Sequence, residues 1–226
     1  MVAKTLLIVE SPAKAIKIQK MFSGKGIIAI ASQGHIKDLA KGKEGINTAD
    51  FSLQYEMMDD KKHVMDSIFR LINSNRGVKI LIATDMDREG EAIGYNLLEE
   101  LVEHNSIKGT LAGALRQKNR IVFNEITEEA LTEAISKPRT IDQNMFHAQQ
   151  ARRVLDRLIG FELSGVLWKH IRMGLSAGRC QSPALQLLMD REKDIDSHSS
   201  EALFKMSGSV ETTLEMNTTD KGIKKK

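Results

Sequence analysis

The chain has 226 residues, 41% of them apolar and 28% charged, with a formal net charge of +3; that suffices for one large domain or two smaller ones and argues against wholesale disorder. The single cysteine, Cys180, excludes an internal disulfide and any multi-cysteine zinc site, and fits a reducing compartment. No apolar run approaches the ~18 residues that a membrane span needs, and the apolar start of the chain is too short for a signal peptide, so a cytoplasmic protein without a membrane partner is expected.

The charge is unevenly spread. Residues 1–48 hold eight Lys or Arg against three acids, and residues 151–180 hold six against two. Such patches suit a phosphate-bearing partner, and equally suit a lysine-rich solvated surface. Aromatic residues are only 4% of the chain, which argues against base stacking on an aromatic platform as the main binding mode.

In chain order, Thr5 to Val9 is a wholly apolar run of the kind buried on both faces of a parallel sheet. Ser11-Pro12 supplies an N-cap and a favoured first helical residue, predicting a helix to Phe22. Ile27 to Ala31 reads as a second strand, and residues 32–56 as an irregular, Gly-rich segment with His35 near its start. Asp59 or Asp60 is a candidate cap for a helix to Asn73. Val78 to Ala83 reads as a strand, and Glu89 to Glu103 as a helix with Ile93, Leu97, Leu98 and Leu101 on one side. Arg120 to Phe123 reads as a strand, and Thr127-Glu128-Glu129 starts another helix. Strands alternating with helices imply an α/β fold, a parallel sheet covered by helices. Residues 140–196 read as mostly helical, with a second cap-plus-Pro start at Ser182-Pro183 and with Trp168 and Met173 in the core. Residues 203–214 read as strand, and the polar end finishes in a lysine tail.

Ligands of open parallel sheets bind beyond the carboxyl ends of the strands. Glu10 ends the first strand, and Asp85-Met86-Asp87-Arg88-Glu89-Gly90-Glu91 ends the strand before it turns helical. If the two strands are neighbours, Glu10, Asp85 and Asp87 converge, with Glu89 able to join them. Crowded carboxylates repel unless a cation or a proton neutralises them. Few, hard oxygen donors suit Mg²⁺, which keeps several waters and commonly bridges to phosphate. Lys14 and Arg88 offer positive charge to the same phosphate. The alternative is a helix start made of a cap and solvated acids, with Glu10 and Lys14 as a surface pair.

Several segments together resemble the type IA DNA topoisomerases. "LLIVESPAKAIKIQKMF", "SQGHIKDL", "ILIATDMDREGEAIGYNLL" and "RIVFNEITEEAL" are similar to the Toprim domain of that family, and "QQARRVLDRLIGF" and "GLSAGRCQSPAL" to the helical part beside it. The Toprim acids alone are shared with bacterial primases and some nucleases; the last two segments narrow the resemblance. The family usually has Val where this chain has Cys180. The resemblance implies a Toprim (Rossmann-like) domain over residues 1–139, a helical DNA-groove region over 140–196, and the start of an arch domain over 197–226. It implies an enzyme that relaxes negative supercoils by cutting one DNA strand, passing another and resealing, with Mg²⁺ and without ATP. Glu10 would sit at the scissile phosphate and leaving oxygen, Lys14 would neutralise that phosphate, and Arg88 would stand among the acids. Asp85, Asp87 and Glu89, with Glu10, would hold Mg²⁺. His35, Arg152, Arg153, Asp156, Arg179, Gln181 and Ser182 would serve the single-stranded DNA.

Bland readings remain beside these: His35 as a loop residue, and Arg152, Arg153, Asp156 and Arg157 as a helical salt-bridge face with at least one structural arginine. The family's nucleophilic tyrosine lies in a later domain, near Arg-Thr-Asp, and neither Tyr55 nor Tyr95 has that context. The expectation is therefore an N-terminal part of a type IA topoisomerase, inactive alone. The competing readings are a stand-alone Toprim nuclease or primase-like enzyme and a non-catalytic single-stranded DNA binding module.

Overall fold

A computed structural model describes residues 4–42, 45–199 and 203–209 of the chain. Its centre is a parallel three-stranded sheet in the order β2-β1-β5, where β1 is Thr5–Val9, β2 is Ile27–Ala31 and β5 is Lys79–Ala83. The register aligns Val9 with both Ala31 and Ala83, so three strands finish level with one another. Alternate residues of β1 serve opposite faces. Leu6 and Ile8 pack with Val64, Ile68, Ile93 and Leu97 on one side, and Leu7 and Val9 with Ala15, Ile18, Leu131 and Ala134 on the other. This is the doubly buried strand that its unbroken apolar run predicts, in an α/β fold.

The helices that cover the sheet follow their local signals. Helix α1, Pro12–Met21, starts where the Ser11 hydroxyl accepts from the Lys14 N–H at 3.3 Å. Helix α5, Glu128–Ser136, is capped in the same way by Thr127 onto Ala130. Helix α3, Arg88–Glu103, is capped by the Asp87 carboxylate on the Gly90 N–H at 2.7 Å. Helix α6, Gln143–His170, begins at Asp142 and packs its first turns on α3, where the rings of Phe146 and Tyr95 stack at 3.7 Å.

Several expectations are corrected. The segment 32–56 holds two short antiparallel strands, β3 (Lys37–Leu39) and β4 (Tyr55–Met57). Lys37 fixes this pair to α3 through Glu99 at 2.6 Å and Glu100 at 2.7 Å, a long-range anchor that no local periodicity carries. Asp59 and Asp60 lie in a 3-10 turn, and helix α2, Lys62–Ser74, starts without a side-chain cap. A short helix, α4 (Leu111–Leu115), was not expected. Residues 120–123 are not a strand: Arg120 alone bridges Ile82 and Arg139, while Ile82 exchanges backbone hydrogen bonds with Asn119 and Ile121. Trp168 and Met173 are 44% and 71% exposed rather than core. Helix α7, Gln181–Ser197, starts at Cys180, so Ser182 and Pro183 lie inside its first turn instead of before it. Residues 203–209 carry no regular structure, and the rest of the expected strand to 214, with the lysine tail, lies outside the described residues.

By internal contacts the chain divides into Met1–Gly178 and Arg179–Lys226. None of the helices among the described residues is long and apolar enough to cross a membrane.

One ion pair inside the first unit has large consequences. Arg120 is 0% exposed and Glu91 1%. The guanidinium donates from Nε to Glu91 Oε1 at 3.0 Å, and Glu91 Oε2 accepts the Asp142 N–H at 3.0 Å. The carboxylate thus joins α3, residue 120 and the start of α6. Glu91→Ala leaves Arg120 buried without its counter-charge, and a loss of about 3–5 kcal/mol is expected in urea unfolding.

Candidate functional site

Because β1 and β5 are parallel neighbours in level register, Glu10 and Asp85 leave the sheet side by side. Glu10 is held above the usual carboxylate value, first by burial and then by the charge of Asp85, with a smaller push from Asp87; Lys14 and the Asp85 N–H oppose this. Glu10 therefore senses both aspartates, in keeping with the neighbour relation of the two strands. Lys14, one turn into α1, forms an ion pair with Asp85. Arg88 opens α3 and is exposed, with no ion-pair partner among the described residues.

The acidic turn itself is tightly fixed. Thr84 Oγ1 donates to the Gly90 carbonyl at 2.6 Å, and Arg120 donates to the Asp85 carbonyl at 2.7 Å. A Cβ built on Gly90 would stand 2.1 Å from that same Asp85 carbonyl oxygen, so glycine is required by close approach.

Glu89 takes a different direction. Its Oε2 meets His35 Nε2 at 3.0 Å and accepts from Gln149 Nε2 on α6 at 3.0 Å. Burial raises its pKa, but the hydrogen bonds of His35 and Gln149 outweigh this and hold it below the usual value. His35 is thereby more than a loop residue with a backbone bond.

Along α6, Arg153 grips Asp38 through Nε at 3.1 Å and a terminal nitrogen at 2.5 Å. Arg157 donates to the carbonyls of Ala40 at 2.7 Å and Leu39 at 3.2 Å. Both tie α6 to β3. Arg152 stands 4.0 Å from Asp156, one helical turn on. A cavity of about 350 Å³ lies here, lined among others by His35, Glu89, Gln149, Arg152, Arg153 and Asp156. Arg179, Gln181 and Ser182 belong to the second unit, at the start of α7, and are exposed there.

The fit to a metal is that of an open site. No group of three or more acid, His or Cys side chains among the described residues is arranged as a ready cage. Asp85 is engaged by Lys14, Asp87 by the helix cap and Glu89 by His35 and Gln149. Asp85 and Asp87 are nonetheless hard oxygen donors within electrostatic reach of Glu10, which has no such side-chain partner of its own among the described residues except the nearby charge of Lys14. Such a set suits an ion bound through one or two carboxylates, with waters and a substrate phosphate completing its shell.

Sequence reasoning missed Glu91, Arg120, Arg139 and Gln149. A signal existed for the first pair: an arginine in "RIVF" and a fourth acid in the motif both sit where burial is expected, and buried charges come paired.

The level parallel strands with acids at their ends are those of a Toprim domain, whose family model matches residues 5–126. A DNA topoisomerase model matches residues 140–226. DNA topoisomerase 1 from two strains of Xylella fastidiosa, Temecula1 and 9a5c, is 44% identical over 195 residues, 86% of this chain and 23% of theirs. The solved full-length topoisomerase I of Thermotoga maritima is 39% identical, with a TM-score of 0.69 over 86% of this chain and 31% of that one. The chain belongs to the type IA DNA topoisomerase family and corresponds to its N-terminal region. It spans about a quarter of the length of the curated relatives it matches. Toprim domains of topoisomerases are metal-binding.

Two tests follow from the geometry. Gly90→Ala forces the start of α3 away from Asp85, and a loss of at least about 1–3 kcal/mol is expected in urea unfolding. The second uses the opposed shifts of two glutamates. Glu10, with its folded pKa raised, favours folding at low pH and loses that contribution as pH rises through its folded pKa. Glu10→Gln should therefore be more stable than wild type at pH 7, and the gain should vanish below the usual carboxylate value of 4.5. Glu89, with its folded pKa lowered, contributes above its unfolded pKa and loses this as pH falls through the folded one. Glu89→Gln should thus be less stable at pH 7, with the deficit closing in acid. Thermal melts across pH 3–8 read both signs.

Proposed function

We propose that this chain is the metal- and DNA-handling part of a type IA topoisomerase, acting on single-stranded segments of underwound DNA. The observation that carries the reading is the meeting of Glu10, Lys14, Asp85 and Asp87 at the ends of β1 and β5, beside a cavity lined by Arg152. Mg²⁺, held by Asp85 and Asp87 with Glu10 and Glu89 at its margin, would neutralise charge on the phosphodiester being exchanged. Lys14 turns its ammonium from Asp85 to that phosphate, and Arg88, exposed at the same helix start, adds a second cation. Glu10, whose pKa is raised by burial and by Asp85, stands nearer to protonation than an ordinary carboxylate. That suits a group which gives a proton to the leaving 3′ oxygen and takes it back on resealing. The bond energy is kept in a covalent link to the 5′ end, so no ATP is used.

His35 and Gln149 hold Glu89 in place, while Arg152 faces the strand. Arg153 and Asp156 shape the same wall; Arg179, Gln181 and Ser182, in the second unit, are proposed in their own right as contacts to single-stranded DNA. The covalent step falls to a tyrosine outside these 226 residues. Tyr95 is stacked against Phe146, and burial raises the pKa of Tyr55 first of all, which opposes the phenolate. The domains are proposed as 1–139 Toprim, 140–196 DNA groove and 197–226 the beginning of the arch.

Fluorescence anisotropy with a labelled single-stranded oligonucleotide tests the binding half. Log affinity should fall linearly with log salt, with a slope of about −0.7 per phosphate contacted. Arg152→Ala should weaken binding and shallow that slope by about one contact; a preference for duplex, or no salt dependence, would count against the reading. On supercoiled plasmid with Mg²⁺, unchanged supercoils are expected. Relaxed closed circles would instead place a nucleophile at Tyr55 or Tyr95, and metal-dependent nicked circles would favour a Toprim nuclease.

A further inference from the structure

The buried arginine at residue 120 reaches the acidic turn directly. Its guanidinium is fully enclosed and divides its donors between two ends. One end meets Glu91 at 3.0 Å, and the other donates to the main-chain oxygen of Asp85 at 2.7 Å and to that of Ile82 at 3.4 Å. The Asp85 carbonyl is the point where the chain leaves β5 and turns towards Asp87. The backbone of residue 120 is itself pinned by two hydrogen bonds with Arg139, at 3.0 and 2.7 Å. A rigid, planar fork anchored at both ends sets the height and twist of that turn in a way a single-point ammonium cannot. We propose that Arg120 is a positioning residue for the divalent-cation site: through the Asp85 carbonyl it fixes the directions in which the Asp85 and Asp87 carboxylates point. The inference rests on the reading that these two acids hold the metal.

Arg139 supplies the control. It also donates to Glu91, at 2.5 Å, but its side chain is 39% exposed and, among the described residues, its ion pair is to Glu91 alone. The test is Mn²⁺ binding, read as loss of the free-ion electron paramagnetic resonance signal. The proteins are the full chain, Asp87→Asn, Arg120→Lys and Arg139→Met. Amide hydrogen exchange over residues 85–90 and over β1 is followed without metal. Arg120→Lys should bind Mn²⁺ about 10-fold more weakly or worse, the usual size of an outer-shell effect. Its exchange should quicken at 85–90 and stay slow in β1. Arg139→Met should lose some stability while keeping wild-type Mn²⁺ affinity. Asp87→Asn should lose most binding.

Equal binding by wild type and Asp87→Asn would overturn the metal reading, and this inference with it. Loss in Asp87→Asn beside wild-type affinity in Arg120→Lys would overturn this inference alone. A parallel loss in Arg139→Met would show that Glu91 acts through general stability and would also overturn it. Should Arg120→Lys fail to fold, Glu91→Gln keeps an acceptor for Nε and loosens the same guanidinium. A weakening of about three-fold or more is expected there, and wild-type affinity would stand against the proposal.

Discussion

Two parallel strands in level register set the problem that the rest of this structure answers. Side by side, β1 and β5 deliver Glu10 and Asp85 to the same place, and the next residues add Asp87 and Glu89. Like charges gathered in this way repel and oppose compaction. Glu10 registers the strain directly, through burial and the charges of Asp85 and Asp87. A sheet whose only need was stability would place apolar or uncharged residues at these strand ends.

The surrounding residues relieve the repulsion by giving each acid its own partner. Lys14 meets Asp85, the N-terminus of α3 takes Asp87, and His35 and Gln149 take Glu89. Glu91, the fourth acid, is removed from the group altogether and buried against Arg120, with Arg139 at its edge. Four carboxylates in one short segment thus have four different environments, three of them open to rearrangement and one locked. The locked one is the deepest, and the others are half-buried or exposed. That gradient gives the segment a fixed base and outer groups that can exchange partners, as the proposed metal and phosphate site requires.

What the sequence made legible follows from the range of the forces involved. Short-range signals were readable: apolar runs for β1, β2 and β5, and Ser11 and Thr127 as caps, because each acts within a few residues of itself. The convergence of Glu10 with Asp85 was readable once a parallel sheet was inferred, since strand ends on one edge are constrained by topology. The β3–β4 pair was not, because it is held by Lys37 reaching glutamates some sixty residues away and by arginines of α6 reaching back. Residues 120–123 read as strand because Ile121, Val122 and Phe123 are apolar and favour strands, yet only Arg120 bridges. Trp168 and Met173 read as core because they are large and apolar, and hydrophobic character alone does not determine what covers a side chain.

Charge counting illustrates the same limit for function. The surplus of cations in residues 151–180 suggested a phosphate surface, and the arginines of α6 looked alike in sequence. In the fold they divide. Arg153 is committed to Asp38, and Arg157 to the carbonyls of Leu39 and Ala40, so both hold the β3–β4 pair against the helix. Arg152 turns to the cavity beside Glu89 and Gln149, where its charge also favours the ionised form of Glu89. One helix therefore holds the β3–β4 pair with two arginines and presents a third to the cavity. Gln149, one turn before Arg153, is the physical link between that wall and the acidic turn. The cavity wall of α6 and the acidic turn are thus two ends of one hydrogen-bonded surface rather than separate features.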